Sequence, residues 1–146
     1  MPVVYPFIKS MSKIFKKRGI ILESGIQVSN RLREGNAEQV DLFGPGLKES
    51  WITAPKSRKL INMYLADNCF GDYYTRKGLD NRQRELATFC YLAGLQALPQ
   101  CTAHAKANMN NGNSFEYLTA VIDSLVPYLG YPRSLNALAC IEEAAK

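Results

Sequence analysis

The sequence predicts an all-α fold, a small domain of about six helices, and two observations carry that prediction. Apolar residues recur at helical spacing through segments bounded by Ser, Asp, Pro and Gly, the residues that start and stop helices. Between them lies no clear alternating strand pair and no repeat with a period of about 20 to 50 residues. With 146 residues, 47% of them hydrophobic, the chain is long enough to bury one core, and a second domain would strain it.

Residues 1–22 alternate basic and apolar types (FIKSMSKIFKKRGIIL) and read as an arm, leaving 23–146 as the helical domain. From Glu23 to Glu34 the spacing of Ile26, Val28 and Leu32 predicts a helix stopped by Gly35, with Arg31 and Arg33 near the end that prefers positive charge. Residues 35–56 carry GPG at 44–46, Trp51 and Pro55. They read as a loop with short helical turns that must still bury Leu42, Phe43, Leu47 and Trp51. Ser57 is placed to cap a helix through about Asp67, on which Leu60, Ile61, Tyr64 and Leu65 recur at helical spacing, before Phe70 and Gly71 lead into DYYTRKG.

Asp80 is the expected N-cap of a central, buried helix, because Leu86, Phe89, Cys90, Leu92, Ala93 and Leu95 cover much of its circumference. Gly94 would let a neighbouring helix come close. Pro99 suits the start of the next helix, where its missing N–H is not needed, and that helix carries Cys101, His104, Ala105 and Met109 before NNG ends it at Gly112. Ser114 caps a further helix with an apolar side of Phe115, Leu118, Val121, Ile122, Leu125 and Val126. Pro127 is expected to kink it or end its ordinary hydrogen bonding, and Gly130 closes it. Tyr131 and Pro132 begin the last helix, through about Ala145.

The net charge of +5 is a property of the arm, not of the domain. Lys9, Lys13, Lys16, Lys17 and Arg18 precede the first acid, Glu23, and beyond them 18 − 5 = 13 basic residues face 13 acidic ones. Basic and aromatic residues interleave only at Tyr73, Tyr74, Arg76 and Lys77, too short a run for a nucleic-acid surface. No run of 18 or more uninterrupted apolar residues occurs, which excludes a membrane span, and the charged start lacks the long apolar segment of a signal peptide. A cytoplasmic protein is the expectation.

Cys69, Cys90, Cys101 and Cys140 form no CxxC pair, and one histidine cannot complete a zinc site of the common spacings. No glycine-rich phosphate loop, GxSxG or HExxH is present, which disfavours phosphoryl transfer, elbow-type serine hydrolysis and zincin chemistry. Two residues stand out. Glu85 falls where its segment turns apolar, one turn after Arg82 and beside Arg84; an acid there is ordinarily a first-turn residue favoured by the helix dipole. His104, the only histidine, is of the type that exchanges a proton near neutral pH, although a lone helical histidine is ordinarily a half-buried, hydrogen-bonded residue.

The stretches FGDYYTRKGLDNRQRELATFCYLAGL (70–95), HAKANMNNG (104–112) and YLGYPRSLNAL (128–138) together resemble the carboxymuconolactone decarboxylase and alkyl hydroperoxidase D-like family. The resemblance runs from about Arg31 to Ile141, and Arg31 and Gly35 look like the Arg-x-x-x-Gly of the decarboxylase branch's entry helix. It implies a small all-α domain that assembles as a homo-oligomer, a trimer or hexamer. The peroxidase branch uses a glutamate, a CxxC pair and a histidine. Glu85 and His104 stand at that branch's separation, but its two cysteine positions fall on Ala97 and Gln100, and Cys101 is one residue, about 100° of helix, out of place.

Peroxide reduction by that route needs a low-pKa thiolate and a resolving thiol, whereas decarboxylation needs a carboxylate site, stabilisation of the developing enolate and a proton donor. The resemblance therefore implies a cofactor-free and metal-free activity on a small carboxylated lactone or related acid. His104 would move the proton and Glu85 would orient it or relay protons through water. Arg76, Arg82, Arg84 and Arg133 are candidate carboxylate clamps, and Tyr128 a candidate donor to an oxyanion. Two alternatives stand beside this: a thiol peroxidase using Cys101 with an outside thiol, and a non-catalytic oligomeric binding protein. If the two helices fold back around Leu98 and Pro99, His104 falls beside residues 92–94, some seven residues or roughly 10 Å from Glu85, so that contact needs a bent path, water or a second subunit.

Overall fold

A computed structural model describes residues 13–20 and 29–146. Most of the predicted arm, and residues 23–28 of the helix expected over 23–34, lie outside the described residues. Within the arm, residues 13–17 are helical. Among the described residues the chain is all-α: α1 (Arg31–Phe43), a 3-10 turn (Pro45–Leu47), α2 (Ser50–Thr53), α3 (Lys56–Tyr64), a π-helical segment (Leu65–Tyr74), α4 (Asn81–Leu95), α5 (Leu98–Asn110), α6 (Phe115–Leu129) and α7 (Tyr131–Ala144). No helix among them is long and apolar enough to cross a membrane.

The first half departs most from expectation. Gly35 does not stop a helix; α1 runs through it to Phe43, taking the first nine residues of the stretch expected to be loop. Gly35 marks instead the place where α1 crosses the π-helical segment. A Cβ there would run into the Ala66 carbonyl oxygen and the Gly71 backbone, and one on Gly71 would run into the Arg31 carbonyl. Arg31 pins the same crossing, its Nε 2.8 Å from Asp67 Oδ1 and its Nη1 3.3 Å from Asp72 Oδ1. The Arg-x-x-x-Gly pattern is thus a docking device: the glycine admits the backbone and the arginine ties it down.

Downstream of α1, buried Asn36 fastens the irregular stretch, its Nδ2 donating to Leu47 O at 2.9 Å and its Oδ1 accepting from Glu49 N at 2.9 Å. Ser57 does not cap α3, which starts at Lys56 after Pro55, and the helix does not end near Asp67 but widens into the π-helical turns that reach Tyr74. Because π hydrogen bonds connect residues five apart, Cys69 and Tyr74 fall in line on one face. Leu60, Ile61 and Tyr64 are more than half exposed, so the periodic stripe on α3 faces outward in the single chain.

The second half follows the sequence closely. Asp80 caps α4 in a reciprocal capping box with Gln83, and Ser114 caps α6 by accepting from Tyr117 N. Such caps each contribute about 1 kcal/mol. Pro99 lies in the first turn of α5 and Pro132 in that of α7. Gln96 makes the tight α4–α5 turn in a left-handed conformation (φ 58°), with its side chain tied to Ala93 O at 2.7 Å and to Asn136 Nδ2 at 2.6 Å.

Pro127 lies two residues before Leu129, where α6 ends at Gly130, so it removes only one hydrogen bond of the last turn. Two expectations fail here. Gly94 is not a close-approach point, since a Cβ there would meet Leu129 Cδ2 at an ordinary 3.6 Å. Leu95, expected inside, is 75% exposed.

Two apolar clusters organise the packing. The larger joins α4, α5, α6 and α7 through Phe89, Ala93, Cys101, Ala105, Leu118, Ile122, Ala137, Cys140, Ile141 and Ala144. Its many small residues let α5 and α7 approach closely. The smaller joins α1 to the π-helical segment through Leu42, Phe70 and Tyr74, with Phe43 and Cys69 against it. The polar residues described next lie where these clusters meet.

Candidate active site

Glu85 is the fifth residue of α4 and is fully buried (0% exposed), so it is not a solvated first-turn acid. Burying a carboxylate without partners is costly, and the fold supplies them on both oxygens. The Tyr74 hydroxyl donates to Oε1 at 2.7 Å, and His104 Nδ1 lies 2.7 Å from Oε2. Tyr74 comes from the π-helical segment and His104 from α5, so three elements converge on one carboxylate. Behind Tyr74, Thr88 Oγ1 lies 3.1 Å from its hydroxyl.

The direct Glu85–His104 contact corrects the expectation of a gap. Asn108 Nδ2 donates to the Glu85 carbonyl at 2.9 Å, so residue 108 stands level with residue 85 across the α4–α5 hairpin. His104 is therefore one helical turn from Glu85, about 6 Å along the axis, and not two. Two extended side chains span that distance without water or a second subunit.

Asn108 locks this register. It also donates to the His104 carbonyl at 2.7 Å, and its Oδ1 accepts from Asn113 Nδ2, which in turn reaches the Arg82 carbonyl at 3.0 Å. Above the pair, the Phe43 ring meets the His104 ring edge-on, centroids 4.9 Å apart. Phe43 also lines a cavity of about 220 Å³ with Leu42, Ala103, Lys106, Ala107 and Asn110. A larger groove of about 610 Å³ runs between Arg33, Asn36, Ala37, Val40, Lys48, Glu49 and Trp51, and neither α4 nor α5 contributes to it.

Burial, the largest cause, and the Glu85 charge hold the Tyr74 phenol well above its ordinary value, so it stays a proton-bearing donor. Cys69 lies in the same cluster as Tyr74, and its thiol is raised by burial and then by Glu85. Cys101 is fully buried, and burial followed by neighbouring Cys140 pushes its thiol up to about 12. A reactive thiolate needs the opposite environment, exposed and electropositive. The redox reading of Cys101 therefore finds no support in its surroundings.

The predicted anion clamps are dispersed. Arg82 Nε donates to Asn113 Oδ1 at 2.7 Å, and Arg84 donates to the carbonyls of Leu79 and Arg76, so both are engaged in holding the start of α4. Arg76 lies over the Tyr73 ring, 5.2 Å from its centroid, with a buried Nε that has no hydrogen-bond partner among the described residues. Tyr128 (83% exposed) and Arg133 flank the α6–α7 turn, whose Leu129 packs by Gly94, nine residues or about 14 Å along α4 from Glu85. Within one chain they are not brought to the pair.

Sequence reasoning missed Tyr74, Thr88, Asn108 and Phe43. Nothing in linear spacing announces the π-helical turn that delivers the first of them. Among the described residues no cluster of His, Cys, Asp and Glu is arranged to hold a metal ion.

A search of the curated proteins returned no match to this chain. A family model described as the carboxymuconolactone decarboxylase family matches residues 62–143. That span runs from the end of α3 into α7 and contains Tyr74, Glu85, His104 and Asn108. It covers more than half of the sequence, and the chain belongs to the carboxymuconolactone decarboxylase family.

Proposed function

We propose that the protein catalyses cofactor-free decarboxylation, with proton transfer, of a small carboxylated lactone or related acid. The observation that carries the reading is the 2.7 Å pairing of His104 Nδ1 with a carboxylate that is itself fully buried. With Nδ1 engaged, Nε2 is the nitrogen left for substrate. The bond from the substrate's carboxylate carbon to its ring carbon breaks, carbon dioxide leaves, and the electron pair stays behind as an enolate. His104, having taken up a proton from solvent at Nε2, then delivers it to that carbon, and Glu85 at Nδ1 stabilises the imidazolium beforehand.

Lys106 at the cavity beside Phe43 supports an acidic substrate, since it offers positive charge to a carboxylate. Assembly into a homo-oligomer belongs to the same reading. The exposed Leu60, Ile61 and Tyr64 on α3, and Tyr91, Leu95, Tyr131 and Leu135 at the other end, are apolar surface of the kind that subunits cover.

Incubation of wild type and His104→Ala with carboxymuconolactone, and separately with peroxide plus a dithiol, tests the proposal. Turnover of the lactone that disappears in His104→Ala supports it. Peroxide turnover sensitive to thiol alkylation would replace it with the peroxidase reading, and no turnover of either would leave a binding protein with this fold.

A further inference from the structure

We infer that Tyr74 is the positioning residue of the acid–base pair: by donating to Glu85 Oε1 it fixes the carboxylate as the acceptor for His104 Nδ1, so that Nε2 is left as the nitrogen that takes up the proton and delivers it. This rests on the reading of His104 as proton carrier and adds to it a reason why the correct nitrogen faces the substrate.

Glu85 is fully buried, and each of its oxygens has a close partner: Tyr74 on Oε1 and His104 on Oε2. The phenol O–H donates to Glu85 Oε1, so the Thr88 hydroxyl, 3.1 Å away, donates in turn to the phenol oxygen. The chain of donors runs from Thr88 to Tyr74 to Glu85, and His104 closes it by donating from Nδ1.

The groups facing Glu85 come from three elements. The π-helical segment brings Tyr74 and Cys69, both kept protonated by burial; α4 brings Thr88; α5 brings His104. The α1 contribution at the His104 ring is apolar, Phe43. Among the described residues no Lys or Arg is hydrogen-bonded to the Glu85 carboxylate, which relies on these two donors. Removal of the phenol hydroxyl strips Oε1 of its donor, and the nearest remedy for a buried carboxylate is to take up a proton. A protonated Glu85 donates to Nδ1 instead of accepting from it, and the neutral imidazole then carries its hydrogen on Nε2.

That reversal is directly readable, because His104 is the only histidine in the chain and its ring nitrogens give unambiguous ¹⁵N resonances. Wild type is expected to show the Nδ1–H form as the majority neutral tautomer, with an Nδ1 proton protected from solvent exchange. Tyr74→Phe keeps the ring that packs on Phe70, centroids 4.5 Å apart, and is expected to make the Nε2–H form the majority and to lower kcat with KM little changed. Thr88→Val, which removes only the donor behind Tyr74, is expected to shift the tautomers the same way but less.

A Tyr74→Phe protein with wild-type tautomer populations overturns the inference, as does a wild type already in the Nε2–H form. If Tyr74→Phe does not fold, Thr88→Val with unchanged populations overturns it equally. The readout needs no substrate, so an intact tautomer switch in a protein without lactone turnover sinks the proposed activity and leaves this inference standing.

Discussion

His104 Nδ1 and Glu85 Oε2 stand 2.7 Å apart across the α4–α5 hairpin, and the glutamate's own exposure is zero. The contact fixes the imidazole firmly, because the buried carboxylate has no water to turn to. A Glu85→Gln substitution keeps the volume and removes the charge that stabilises the imidazolium. Lactone turnover is expected to fall by roughly 10²- to 10⁴-fold, the usual range for lost acid–base help, with the fold intact by circular dichroism. Glu85→Ala orphans both Tyr74 and His104 and opens a cavity. Thermal unfolding should report a loss of about 3–5 kcal/mol.

The crossing of α1 over the π-helical segment makes opposite predictions for two glycines that look alike in sequence. Alanine favours a helix over glycine by about 1 kcal/mol, yet a methyl at Gly35 would strike backbone that cannot rotate away. Gly35→Ala is expected to destabilise by about 3 kcal/mol or to prevent folding. Gly94→Ala meets only the tip of Leu129 at 3.6 Å and should raise the melting temperature by a few degrees. Paired thermal melts check both.

Cys101 should be inert where a redox thiol would react. Its thiol, ordinarily near 9.0, is pushed up to about 12 by burial and by Cys140, so native protein at pH 8 should label with iodoacetamide far more slowly at Cys101 than urea-unfolded protein does. Cys101→Ala should leave lactone turnover within about twofold. Mass spectrometry of the labelled peptides separates Cys101 from the half-buried Cys69 and Cys90.

The same raised thiols predict alkaline sensitivity. Unfolding frees a group that ionises near 9.0 from a fold that holds it protonated to about 12. The stabilisation is therefore complete below pH 9 and is lost as pH climbs from about 9 towards 12. Cys69, Cys90 and Tyr74 are raised in the same direction, again chiefly by burial, and add to the slope. Urea midpoints measured from pH 7 to 11 should fall beyond pH 9, less steeply in Cys101→Ala.

Assembly is testable on α3. Leu60 and Ile61 are 58% and 56% exposed, so aspartate at either position costs the isolated chain little. If subunits cover this face, wild type sediments as a multiple of the chain mass and Leu60→Asp/Ile61→Asp as the monomer. An unchanged sedimentation coefficient would move the interface elsewhere.

The sequence by itself determined the second half of the molecule. The caps at Asp80 and Ser114, the prolines opening α5 and α7, and the α4 and α6 residues of the main cluster were legible because each acts through neighbours within a turn or two of chain. It also marked Glu85 and His104 as the residues to watch, through their types and positions. Tertiary structure decided what those residues meet. The hairpin register, fixed by Asn108, turned an expected gap of roughly 10 Å into a direct contact. A π-helical turn delivered Tyr74 to the other carboxylate oxygen, and the demands of α1 made Gly35 a crossing point instead of a stop. These outcomes depend on which backbones approach each other, and no local propensity or spacing along one helix encodes that.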